Sequence, residues 1–190
     1  IVDGKNKKLT CNVDFSIVAC PETANPGEIF SDFHKLPRLI GGFDERFSQI
    51  TAELYHHVFD VEIIHLPNCK TANAAKLTAN VFRDVNIAFI NELAMLFEKM
   101  DIDIMKVIEA CDRKYNFQAH YPGSGVGGPC LPVNSYQYLN TSRKTFDGVL
   151  RMIETAREIN EHMPHHTVEI VVDALNESEK SIKNSNIGIL

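Results

Sequence analysis

Apolar positions change their spacing as the chain proceeds. Near the N-terminus they come in short runs, "FSIVAC" (15–20), "RLIGG" (38–42) and "VEIIHL" (61–66), closed by proline or glycine. Such runs predict three short strands, the first of them buried. Between the second and third, Phe47, Ile50, Leu54 and Val58 recur at spacings of three and four and predict an amphipathic helix over 44–59. "PETANPGEIF", punctuated by Pro21, Asn25, Pro26 and Gly27, predicts a loop. The alternation of loop, strand and helix is that of half an α/β layer.

From Thr71 to Met100 there is neither proline nor glycine, and Phe82, Val85, Phe89, Leu93 and Leu96 mark one stripe of a long helix. At about 1.5 Å per residue such a helix is about 45 Å long, more than a small domain needs, which predicts a partner helix or a second subunit. Residues 102–111 predict a shorter helix with Ile104, Val107 and Ile108 apolar, and 112–134 predict a loop. A further helix is predicted over 145–163, with Phe146, Val149, Ile153, Ala156 and Ile159 on one side. Pro164 suits the first turn of the next, running to about Leu175 with Val168, Val171 and Val172 inward. "NIGIL" at the end reads as an opening strand. The fold class predicted is α+β, mostly α.

Composition adds exclusions. The 190 residues are 44% hydrophobic and 23% charged with a net charge of −6. No basic cluster supports a nucleic-acid or anionic-membrane role. No apolar run approaches the roughly 20 residues of a bilayer span. The lysine-rich start, 1–10, lacks the apolar segment of a secretory signal. Cys11, Cys20, Cys69, Cys111 and Cys130 are odd in number and without a CxxC pair, which predicts reduced thiols in a cytoplasmic protein, the four besides Cys130 in ordinary burial. His162, His165 and His166 have no converging partners and predict surface histidines at a helix junction rather than a metal site.

The stretch "YPGSGVGGPCLPVN" (121–134) carries the candidate chemistry. Gly123, Gly125 and Gly128 satisfy G-x-G-x-x-G by spacing. A dinucleotide-binding turn follows a buried strand and opens a helix. Here "NFQAHYP" is a poor strand, and Pro132 is predicted to stop helix growth unless it sits in the first turn. The glycines then predict a loop whose backbone approaches something closely, with a thiol at its rim, or simply a tight surface turn around a buried cysteine. Lys76 and Asn80, four apart, share one face of the long helix, and Arg83 continues it; an exposed polar stripe is the alternative.

Taken together, "GSGVGGPCLPVN", "ACPETANPGEIFSDFHKLPRLIGG", "KTANAAKLTANVFRDVNIAFINELA", "TAREINEHMP" and "SNIGIL" resemble, in order, segments of the UDP-sugar 6-dehydrogenases. The resemblance implies the end of a Rossmann-like NAD-binding domain over 1–70, a helical dimerisation domain over 71–183, and the first strand of a UDP-binding domain over 184–190. It implies two-step oxidation of a sugar C6 alcohol to a carboxylate, with two NAD per turnover and Cys130 as nucleophile. Lys76 and Asn80 would hold the reacting oxygen; Glu22 would serve water and thioester hydrolysis. Gly123, Gly125, Gly127, Gly128 and Arg83 would meet the UDP-sugar, and Glu22 and Cys130 the cofactor. "RDVNIAFINELA" and "FQAHYPG" lean toward the N-acetylhexosamine branch. The implied setting is cytoplasmic synthesis of sugar donors for surface polysaccharide, as a homodimer through the long helix.

Two positions depart from the family pattern. Asn134 stands where it has aspartate, and an amide takes no proton. Pro129 stands where histidine or serine is commoner. The family's nucleotide-binding glycine turn is not among these residues, so the chain alone is expected to bind NAD⁺ weakly and to oxidise no UDP-sugar; micromolar binding by calorimetry would refute this. The competing reading is a non-enzymatic helical dimerisation module.

Overall fold

The computed structural model describes residues 8–24 and 27–189. The chain divides into two compact units between Ala79 and Asn80. Strands β1 (Val18–Ala19), β2 (Arg38–Gly42) and β3 (Ile63–His65) and helices α1 (Ile29–Asp32) and α2 (Glu45–Phe59) belong to the first. Helix α3 (Cys69–Lys99) crosses the division, and α4 (Ile104–Cys111), α5 (Leu131–Phe146) and α6 (Arg151–Glu177) belong to the second. No helix of the described residues is long and apolar enough to cross a membrane.

In the first unit β2 is central. It runs antiparallel to β1, with Val18 opposite Gly42, and parallel to β3, with Arg38 opposite Ile63. A parallel pair needs a crossover, which α2 supplies. Asp44 caps α2 by accepting from the Arg46 and Phe47 N–H groups at 2.9 and 3.3 Å, and Asp60 ends it in the left-handed region. Ile40, Ala52 and Val61 form the core. The apolar stripe of α2 lies elsewhere than inward: Ile50, Leu54 and Val58 are exposed, and Ser48 and Ala52 are its buried residues. Small residues let α2 sit close on the sheet. At Gly41 an added Cβ would lie 2.4 Å from the Asn68 carbonyl oxygen, so the end of β2 and the start of α3 are in backbone contact. Asn68 also caps α3, accepting from the Thr71 N–H at 2.9 Å.

In the second unit α5 packs along α6, and the apolar core comprises Val81, Ala88, Ile90, Ile108, Leu139, Ala156 and Met163. Asp103 caps α4 through the Met105 N–H at 2.9 Å. Three boundaries differ from the sequence reading. The loop predicted to Asn134 stops at Cys130, because Pro132 sits in the first turn of α5, where its missing N–H costs nothing. Residues 145 and 146 finish α5, which left-handed Asp147 ends. Helix α6 runs unbroken through Pro164, so His162, His165 and His166 lie mid-helix rather than at a junction. His166 is 9% exposed and within 3.0 Å of a Glu98 oxygen, which removes it from the surface set. Val168 is exposed, not inward, and so are Phe146 and Val149. Residues 186–189 form no strand; no described segment pairs with them. Cys11 is exposed rather than buried, and Cys20, Cys69 and Cys111 are half-buried.

Candidate active site

Helix α5 presents the thiol. Cys130 is its N-cap residue and is exposed, at the end of a 16-residue helix where unpaired N–H groups and the helix dipole favour negative charge. One turn on, Asn134 accepts a 2.6 Å hydrogen bond from the Asn80 side-chain amide of α3 and donates to Gln137 at 3.3 Å. The next residue, Ser135, donates to Asp84 Oδ2 at 2.6 Å. Two consecutive residues of α5 thus grip two residues one turn apart on α3. This fixes the start of α5, whose N-cap is Cys130, on α3.

The grip continues inward. Asp84 is fully buried, and its Oδ1 accepts from Arg157 Nη1 at 2.9 Å and from the Asn160 amide at 2.8 Å. Asn160 also donates to the Asp84 main-chain oxygen at 3.0 Å, and its own oxygen accepts from Asn91 at 2.9 Å. Asn91 accepts in turn from the Gly123 N–H at 2.9 Å. A continuous buried chain therefore runs from Arg157 to the glycine loop. Burial works against the Arg157 charge, but the charge of Asp84 and hydrogen bonds to Glu161, Asp84 and Tyr136 outweigh it and raise its pKa. Tyr136 donates to Glu161 and, with Arg157, holds that carboxyl below its ordinary range against a smaller upward push from burial.

The loop glycines differ in what they face. Gly125 has φ +118°, and an added Cβ would lie 2.9 Å from the Asn160 main-chain oxygen and 3.2 Å from Pro164 Cδ. Pro164 has no N–H, so that oxygen has no helical donor, and the loop lies over it. Gly123, Gly127 and Gly128 have nothing within 4 Å of an added Cβ, so their backbone is open to approach. Arg83 is exposed on α3.

In the first unit, Glu22 stands in the turn after β1. The Thr23 and Ala24 N–H groups donate to its Oε1 at 2.7 and 2.6 Å, and Arg38 Nη1 donates to the same oxygen at 3.2 Å. Lys76 is half-buried on α3, one turn before Asn80. Cys20 forms a hydrogen bond with Tyr55; burial raises its pKa, more than the Tyr55 bond and the Arg38 charge lower it, so it stays a protonated thiol.

The structure brings Asn80 and Asn134 together, sets Cys130 at the head of Asn134's helix, and ties Gly123 and Gly125 to α3 and α6. The sequence reading missed Arg38, Asp84, Asn91, Ser135, Arg157 and Asn160. Polar side chains at helical spacing inside apolar stretches, Asp84 with Asn91 and Arg157 with Asn160, were the signal available.

Residues 70–162 match the central domain of the UDP-glucose/GDP-mannose dehydrogenase family, and residues 1–59 match its NAD binding domain. The UDP-N-acetyl-D-mannosamine dehydrogenase of Pyrococcus horikoshii is 36% identical over 178 residues, which are 94% of this chain and 41% of that protein. Protein CapL of Staphylococcus aureus is 32% identical over 186 residues, 98% of this chain and 43% of that one. The chain thus spans under half the length of these relatives. Among solved structures, the P. horikoshii UDP-D-ManNAc dehydrogenase superposes with a TM-score of 0.80 at 34% identity, over 89% of this chain and 39% of that one. A UDP-glucose dehydrogenase from Pyrobaculum islandicum gives 0.78 at 26%, over 87% and 38%.

Proposed function

Since the chain belongs to the UDP-glucose/GDP-mannose dehydrogenase family, we propose that it is the middle part of an NAD-dependent dehydrogenase that oxidises C6 of a UDP-N-acetylhexosamine to a uronic acid. The observation that carries this reading is the Asn80–Asn134 bond, which registers the thiol-bearing end of α5 on the helix that supplies the polar face. The relatives whose names specify N-acetylmannosamine favour the N-acetylhexosamine branch over glucose.

The roles follow from each group's chemistry. Cys130 adds its sulfur to the C6 aldehyde, forming a C–S bond and placing negative charge on the former carbonyl oxygen. Lys76 and Asn80 stabilise that oxygen. Loss of hydride leaves a thioester; water adds to it, and the thiolate departs, with Glu22 the carboxylate that the resemblance assigns to this hydrolysis. NAD⁺, when bound, accepts the hydride at each of the two oxidations. The glycine run at 123–128 follows no strand and so lacks the setting of a dinucleotide-binding turn. The open backbone at Gly127 and Gly128 is where the sugar nucleotide would lie close. Iodoacetamide labelling followed by peptide mapping tests the thiol: Cys130 is expected to react several-fold ahead of Cys11, the other exposed cysteine. Equal rates would make Cys130 an ordinary surface thiol.

A second reading, assembly, rests on a different observation. Phe82, Phe89 and Leu96 of α3 are each about half exposed, at 51, 51 and 53%, and Met152 of α6 is 75% exposed. Val85, Phe89, Met152, Ala156 and Ile159 line one groove between these helices. We assign this face to a second copy of the chain. Light scattering at tens of micromolar is expected to give a dimer mass, and Phe89→Glu a monomer. A monomeric wild-type chain would remove the assignment.

A further inference from the structure

We propose that Arg38 is the positioning residue of Glu22: held against two aromatic rings, it pins one carboxylate oxygen and leaves the other as the single oxygen offered to the reacting water. The role given to Glu22 rests on the dehydrogenase reading; the pinning does not.

Arg38 opens β2 and is 2% exposed. Its guanidinium carbon lies 4.5 Å from the Phe33 ring centroid and 5.3 Å from that of Phe59. The two rings meet edge to face at 5.4 Å, and Tyr55 leans on Phe59 at 5.5 Å. Contact with ring faces favours the cation, and the packed rings fix the plane of its fork. Among the described residues, only Nη1 finds a carboxylate, and Nε and Nη2 are buried with no hydrogen-bond partner. A buried guanidinium with two unmet donors is a poor device for stability, since an apolar side chain would fill the space without that cost. What an apolar side chain would not supply is the bond to Glu22.

That bond completes a set of three. Among the described residues, every hydrogen bond to Glu22 reaches Oε1, from two main-chain N–H groups and Arg38. The side chain is 54% exposed, so Oε2 remains available to solvent or substrate. Burial pushes the Glu22 pKa up, but the Ala24 and Thr23 N–H groups and the bond and charge of Arg38 together hold it below the ordinary value. Its pKa being lowered on folding, the stability it contributes is present above the ordinary carboxylate pKa and is lost as pH falls through the lowered one. The other titratable groups around Arg38 and Glu22 are Cys20 and Tyr55, both raised chiefly by burial, and His34, whose Nδ1 meets the Phe59 carbonyl at 2.9 Å.

The test is a carboxyl-carbon NMR titration of Glu22 in the whole chain, as wild type, Arg38→Met and Arg38→Lys. The Glu22 midpoint is expected to move up in Arg38→Met, and by less in Arg38→Lys, which keeps charge but lacks the flat fork. An unmoved midpoint in either variant, with amide spectra otherwise preserved, overturns the proposal. If neither variant folds, the wild type decides: the Arg38 side-chain N–H signals must shift with the Glu22 midpoint, and signals that ignore it overturn the proposal. In the active dehydrogenase, Arg38→Lys is expected to lower kcat by about ten- to a hundredfold with KM little changed. A full-length dehydrogenase containing these residues that shows no turnover would end the dehydrogenase reading and leave the titration to judge Arg38.

Discussion

Asp84→Ala is expected to lower the stability of the chain by about 3–5 kcal/mol, the range for breaking a buried ion pair from one side. The variant would strand Arg157, 4% exposed and already carrying one unmet donor at Nε, without its buried counter-charge. It would also release the Ser135 hydroxyl and the Asn160 amide. Denaturant midpoints measure the loss. The exposed Arg143–Glu154 pair, 3.0 Å apart, is the internal contrast, and Arg143→Ala is expected to cost under about 1 kcal/mol. Replacing both partners, as Asp84→Leu with Arg157→Met, should recover much of the loss, because no buried charge then remains. A loss for Asp84→Ala as small as that of Arg143→Ala would show that the buried network is not under load.

Cys130→Ser should separate the two oxidations of the proposed reaction. A serine hydroxyl leaves the first hydride transfer untouched but adds poorly to the aldehyde and leaves poorly from an ester. Formation of the carboxylate is expected to fall on the order of 10³-fold or more. A single-turnover experiment on the full-length dehydrogenase would then read one equivalent of NADH per sugar instead of two. Two equivalents at an undiminished rate would remove Cys130 from the chemistry. Asn134→Asp makes the complementary change. It keeps the oxygen that accepts from Asn80 and adds a proton acceptor one turn from the thiol. About a tenfold or greater gain is expected if the missing carboxylate limits the rate.

The sequence made some elements plain and hid others for physical reasons. Strands β2 and β3 and helices α2, α3 and α4 were legible because β-branched runs and three-four spacing mark them directly. Helix α5 was not. Its buried residues are Ser135, Leu139 and Ser142, so its inner face reads as polar. Those serines point inward because hydrogen-bond acceptors wait there: Asp84 for Ser135, and the Leu139 and Gly148 carbonyls for Ser142. Pro132, which stops a helix unless it sits in the first turn, sits there. On α3 the inner face alternates Val81, Asp84, Ala88 and Asn91, while Phe82 and Phe89 look out. Periodicity finds the apolar stripe wherever it faces, and here half of it faces away from the chain's own core. The resemblance supplied Cys130, Asn80 and Glu22, but the residues that hold Asn134's helix and Glu22 are legible only once Asp84, Asn160 and Arg38 are seen to be buried.

Pro164 has a consequence for what the loop tolerates. The carbonyl it leaves without a helical donor belongs to Asn160, whose side chain also reaches Asp84. A deletion of one residue in α6 just before Asn160 would turn that residue by about 100°, carrying the carbonyl from beneath Gly125 and the amide from Asp84 in one stroke. Exchanges of side chain at Gly123 or Gly127 meet empty space, whereas Gly125 and Gly128, at φ +118° and +78°, hold a backbone that a side chain would strain. The loop therefore forgives a new side chain at two of its four glycines, but not a change in the length of the helix behind it.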